Sequence, residues 1–118
     1  MSKINLEPLR SLDGYIASAL VDTDSGMLLA GDGEGIQLDV AAAGNSEVVK
    51  AKRKVAAALK LNDAIEDVLI SLSKQYHLIR PLESNQALFL YLVLDRGRSN
   101  LALARHELRS FEASVDFS

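Results

Sequence analysis

The stretch Ala87–Asp95, ALFLYLVLD, decides how the rest of this chain must be arranged. Eight apolar residues run without interruption and stop at Asp95-Arg96-Gly97. Alternate positions sort into two apolar rows: Leu88, Leu90, Leu92 and Leu94 on one side, Ala87, Phe89, Tyr91 and Val93 on the other. A strand burying one face alternates apolar with polar residues; one apolar on both faces needs a packed layer above it and another below. A short buried helix could carry the same run, but the aromatic and β-branched content and the flanking turn residues favour a strand. Ala87–Asp95 is therefore expected to be the central strand of the domain's sheet, a packing element with no chemistry of its own.

Working outward, 118 residues suit one domain, spanning 1–118, with one real core. Hydrophobic content of 48% and charged content of 25% are those of an ordinary globular protein. No apolar run approaches the roughly 18 residues of a membrane span, and MSKINLEPLRSL lacks the continuous apolar core of a secretory signal. The absence of cysteine removes disulfides and thiolate metal sites and is compatible with a reducing cytoplasm, the expected location. A formal charge of −3 argues against nucleic acid as the main partner.

Along the chain, Ile4–Leu12 reads as a short helix, with Asn5 as its cap and Pro8 in the tolerated first turn. Tyr15–Asp22 and Met27–Ala30 read as two strands joined by a tight turn at Thr23-Asp24-Ser25-Gly26. The same DTDSG fails as a calcium loop, because glycine falls at the fifth place and no glutamate stands at the twelfth. Gly31-Asp32-Gly33-Glu34-Gly35 has GxGxG spacing rather than GxGxxG, and its carboxylates would repel a phosphate. It is expected to be a flexible, solvated connection.

From Leu38 to Leu61 the spacing predicts the longest helix, an apolar stripe of Leu38, Ala41, Ala42, Val48, Val49, Val55, Ala56 and Leu59 with lysines and Arg53 between them. Ile65–Ser73 is expected to be a half-buried strand at an edge, and Gln75–Glu83 another strand, in which Pro81 marks an end or a bulge. The last helix opens at Ser99 or Asn100 and carries Leu101, Ala104, Leu108, Phe111 and Val115 as its stripe, with Arg105, His106, Arg109 and Glu112 off that line.

The chemistry these residues could support is limited. His77 falls in a strand and His106 on a helix between Arg105 and Glu107; neither is framed by HExxH, GxSxG or a comparable motif. No catalytic, cofactor-binding or metal-ligating residue is assigned. The residues describe an α/β domain that works by binding rather than by catalysis.

This element order, with GYIASALVDTDSGMLLA early and ALFLYLVLDRGRSNLALARHELR late, resembles the roadblock family of dynein light chains and their bacterial relatives. The resemblance rests on Gly14, on Val21-Asp22 with Asp24 and Gly26, and on Asn100-Leu101 leading into Glu107-Leu108-Arg109. It departs from the family in its acidic Gly31–Gly35 loop and in lacking a glycine at Ser73-Lys74-Gln75. What it implies is a five-stranded antiparallel sheet in the order 2-1-5-4-3, with the long helix on one face and the two terminal helices on the other. It also implies a homodimer in which third strands pair edge to edge and long helices pack together, acting beside a small Ras-like GTPase as scaffold or regulator. On that reading Val68–Leu72, uncharged and without proline, is an edge that needs cover, and Gly44, Val48, Val49, Lys52, Val55, Val68, Ile70 and Leu72 form the interface. Opposed Lys52 side chains would repel there. The rival is a profilin-like or PAS-like sensory domain, which would announce itself by an apolar cavity near Phe89, Tyr91 and the terminal helices. An enzyme built on dispersed carboxylates is a weaker third.

Overall fold

A computed structural model describes residues 4–117. Its strands are β1 (Tyr15–Asp22), β2 (Leu28–Gly33), β3 (Val68–Ser71), β4 (Gln75–Pro81) and β5 (Leu88–Asp95); its α-helices are α1 (Leu38–Ala58) and α2 (Leu101–Ser114). All four pairings are antiparallel and the order is β2-β1-β5-β4-β3, so β5 is central as its two apolar rows require.

Those rows face separate cores. Leu88, Leu90, Leu92 and Leu94 meet Leu20, Leu78, Ala104, Leu108 and Phe111, together with Leu9 and Leu12 from the N-terminus. Phe89, Tyr91 and Val93 meet Ala17, Ala19, Val21 and Ile79 and, from α1, Ala42 and Val49. Ala87 stays outside the strand, exposed, in the turn entering β5.

Several boundaries differ from the sequence reading; β4, for one, ends at Pro81 rather than Glu83. The N-terminal helix is a single 3-10 turn, Glu7–Ser11, closed by i→i+3 bonds such as Leu12 N–H to Leu9 O at 3.1 Å. So short a segment, with Pro8 lacking an N–H, does not sustain an α-helix. Asn5 does not occupy the cap position, which is Leu6; its Oδ1 accepts from the Glu7 N–H. Helix α1 stops at Ala58 because Lys60 and Asn62 take left-handed φ values of 56° and 50°. Strand β3 begins at Val68 rather than Ile65, since the preceding Glu66 and Asp67 reach to Arg109 and Arg105 of α2.

The largest difference is β2, which continues through Gly31-Asp32-Gly33 instead of dissolving into a solvated loop. Asp32 is tied down by its side chain. Nε of Arg10 donates to it at 2.9 Å and the Tyr15 hydroxyl at 2.6 Å, while Ser18 lies 2.8 Å from that hydroxyl. The Arg10 guanidinium, then the Tyr15 bond, hold the Asp32 carboxyl below the usual carboxylate range, and burial raises the Tyr15 phenol. Gly33 closes the pairing at φ +93°, where an added Cβ would lie 2.3 Å from Ile16 O and 2.6 Å from Ala17 Cα. Both atoms are backbone and cannot swing aside. Gly33→Ala is thus expected to cost at least about 2 kcal/mol in a urea melt; an unchanged midpoint would show that the β1–β2 pairing is looser than described.

At the other end of this hairpin, Gly26 (φ +73°) donates its N–H to Asp22 O at 2.8 Å, and the Asp22 carboxylate accepts from both the N–H and the hydroxyl of Ser25. The Asp22–Gly26 segment is a self-bonded turn. Helix α2 opens as its sequence suggests, with Asn100 Oδ1 accepting from the Leu103 N–H at 3.1 Å. No helix among the described residues is long and apolar enough to cross a membrane.

Candidate interaction surface

Helix α1 touches the sheet with only part of its circumference. Ala42, Ser46 and Val49, spaced four and three apart, are buried against β1 and β5. Another row, Gly44, Val48, Ala51, Val55 and Ala58, repeats the same spacing around the helix and is left uncovered, Val48 36% exposed and Val55 47%. Val40 and Leu59 extend the uncovered apolar surface, at 62% and 61% exposure. Gly44 has open space where a side chain would stand. Glycine inside a helix costs about 1 kcal/mol against alanine, and no neighbour within this chain requires it.

The row runs into the free edge of the sheet. Val68 and Ile70 of β3 point to the α1 side and are half-buried, and Leu72 follows at 44% exposure. Between α1 and this edge lies an open groove of about 390 Å³, lined by Val48, Lys52 and Ala56 on one bank and Ile65, Asp67 and Val68 on the other. Of the residues expected at an interface, Val48, Lys52 and Val68 thus share one groove, with Gly44 and Val55 continuing it along the helix and Ile70 and Leu72 along the edge. Val49 lies underneath, wholly buried, and presents no surface of its own.

One polar chain beside this surface was not visible in the sequence. His77 lies across from Ile70 on β3 and from Val93 on β5. The Tyr91 hydroxyl donates to Nδ1 of His77 at 2.9 Å, and Nε2 donates to Oε1 of Gln75 at 2.8 Å. Burial raises the Tyr91 phenol, and Asn45 of α1 stands beside the same hydroxyl. His106, by contrast, is exposed on α2. Among the described residues no three His, Asp or Glu side chains come close enough to hold a metal ion. The apolar cavity that would mark a sensory domain has no place where it was expected: Phe89 and Tyr91 face α1, on the opposite side of the sheet from the terminal helices.

The fold recurs in solved structures. The Roadblock/LC7 domain from Streptomyces avermitilis matches with a TM-score of 0.85 over 97% of this chain and 95% of that one, at 16% identity. The chain has the roadblock/LC7 fold. The gliding protein MglB from Thermus thermophilus shares this roadblock/LC7 arrangement with a TM-score of 0.76, covering 91% of this chain and 79% of that one at 18% identity. An MglB structure described as having a tetrameric arrangement gives 0.79, over 92% and 80%, also at 18% identity. No family model and no curated protein matches the sequence.

Proposed function

We propose that this protein is a non-catalytic homodimer that acts in the cytoplasm as scaffold or regulator of a small Ras-like GTPase. The observation that carries the self-association is the continuity of two uncovered features, the outer apolar row of α1 and the uncharged β3 edge. Residues Val68–Ser71 hold neither charge nor proline, so nothing in the chain itself blunts that edge. A second copy related by a two-fold axis satisfies the edge and covers the helix row in one step. Gly44 lets the two helices approach, while Val48, Val55, Val68, Ile70 and Leu72 supply apolar contact and Val49 holds α1 on its own sheet. Lys52 need not repel its counterpart, because Asp63 lines the same groove; Asp67, also there, is held by Arg105. The GTPase role rests on the likeness to roadblock proteins and on fold-level analogy alone. Support for a binding role over a catalytic one comes from His77, whose two ring nitrogens are already occupied.

The dimer is tested by sedimentation or light scattering at micromolar concentration. Val48→Glu with Val55→Glu places two charges on an exposed row that the single chain does not need. The pair should leave the circular dichroism spectrum unchanged and weaken association at least about a hundredfold, equivalent to about 3 kcal/mol. Ile70→Pro, which removes a backbone donor at the edge, should give monomer or aggregate. An unmodified protein that is monomeric at micromolar concentration defeats the proposal. The GTPase role is tested separately by presenting the dimer to the Ras-like GTPases of the same genome and reading complex formation and GTP hydrolysis. Failure of every one to bind removes that role and leaves the dimer standing.

A further inference from the structure

We infer that the Tyr91–His77–Gln75 chain makes self-association of this protein pH-dependent, the dimer requiring His77 neutral and loosening as the ring takes up a second proton. This rests on the interface proposed above and names its regulation. The geometry supplies the reasons. His77 is the half-buried polar side chain of β4 that stands directly across from Ile70 of the edge strand, on the sheet face that α1 covers only in part. A second helix laid beside α1 would close over it.

The hydrogen bonds around His77 run in one direction: Tyr91 gives to Nδ1, and Nε2–H gives to Gln75. Oε1 of Gln75 can only accept, so the neutral ring carries its proton on Nε2. A proton added at Nδ1 turns that nitrogen into a donor facing a donor. The Tyr91 hydroxyl must then turn its own proton away and accept from the ring instead. Protonation beside the sheet edge therefore disturbs a buried hydroxyl on the face that α1 covers.

The charged and titratable surroundings do not favour a cation. Strand β3 offers none, since Val68–Ser71 carries no ionisable group. On β4 the neighbour is neutral Gln75, and α1 offers neutral Asn45 and cationic Lys52; the groove that Lys52 lines also holds Asp63 and Asp67, the latter already paired with Arg105. On β5 there are the Tyr91 phenol and Asp95; Asp95 lies across from Gln75 in the strand register, and its carboxylate accepts from the Gly97 N–H at 3.0 Å. Burial already pushes the His77 imidazole below its usual value in the single chain. Covering by a second copy adds burial, so the dimer holds the proton less well than the monomer. Association is therefore at full strength above the ordinary imidazole range and weakens as pH falls through the single chain's own His77 value, which lies below about 6.5.

The test compares dissociation constants by sedimentation at pH about 7.5 and about 5, where histidine is the residue that changes charge. Circular dichroism at both values establishes that the chain stays folded. The unmodified protein should dissociate at least about tenfold more readily at the lower pH, each ring that must shed a proton contributing up to tenfold per pH unit. His77→Gln, which cannot take the charge, should flatten the dependence, and His106→Gln should leave it as it is. A measurement that needs no variant is the NMR titration of the His77 ring, whose midpoint should fall as protein concentration is raised through the association range. A dimer whose affinity ignores pH, or a His77 midpoint that ignores concentration, overturns the inference and leaves the dimer itself intact. A protein monomeric at pH 7.5 overturns both.

Discussion

Leu92→Asp is expected to abolish the cooperative melting transition. Leu92 is wholly buried in the middle of β5, between Ser18 of β1 and Leu78 of β4, with α2 and the N-terminal turn closing over it. Its neighbours offer one hydroxyl and no cation, and the Ser18 hydroxyl is already engaged with Tyr15. An unpaired carboxylate there costs several kcal/mol or must be protonated, against a total stability of about 5–15 kcal/mol for a domain of this kind. Leu90→Asp, two residues earlier on the same face, should lose less. Leu90 sits directly across from Arg80, so a carboxylate at that position finds a guanidinium within reach. A near-wild-type melt for Leu92→Asp, or a deeper loss for Leu90→Asp, would show that burial and pairing on this face are not as described.

The second large effect concerns the ion pair beneath α2. Arg80 Nε donates to Glu112 Oε1 at 2.8 Å, with the two side chains only 5% and 9% exposed. The other Glu112 oxygen accepts from the Glu83 N–H at 2.9 Å, so one carboxylate fastens α2 to the end of β4 and to the turn beyond it. Glu112→Ala leaves a buried guanidinium whose remaining carboxylate, Glu83, is 3.7 Å away and largely exposed. Such a change costs about 3–5 kcal/mol, as does Arg80→Ala for the converse reason. Arg80→Met with Glu112→Leu removes both charges and keeps the volume. It should lose far less than the sum of the single changes, the residue of the cost being the orphaned Glu83 N–H. Urea unfolding of the four proteins decides it, and additive losses would mean that the pair acts as two independent surface charges.

These two cases divide what the sequence could disclose from what it could not. The double row of Ala87–Asp95 announced a central strand because burial on both faces leaves a period of two with no polar gaps. The caps and breaks also act locally, and Asn100 caps the helix that follows it. Glu112 looked like a solvated residue because it lies off the Leu101–Val115 stripe. Its burial comes from Arg80, 32 positions away, a relation that no local pattern encodes. Asp32 misled in the same way: among three glycines it reads as a solvated loop, but Arg10 and Tyr15 arrive from 22 and 17 residues earlier and keep it in the sheet. The chain from Tyr91 through His77 to Gln75 joins β5 and β4. The lone histidine in a strand carried no sign of it.

The position of β5 also has a consequence for how the chain comes together in time. The strand at the middle of the sheet is the last of the five along the chain, and β1 and β4 both pair with it rather than with each other. A ribosome making this protein releases the β1–β2 hairpin, then the long helix, then the β3–β4 hairpin, before the piece that unites them. Each hairpin by itself is marginal in water. Until residues 88–95 emerge, the apolar inner sides of β1 and β4 have no neighbour to zip against, and the two halves are joined only through the long helix and its connections. Closure of the sheet is then a single late, long-range event, of the kind that folds slowly and leaves nascent edges open to other strands while it waits.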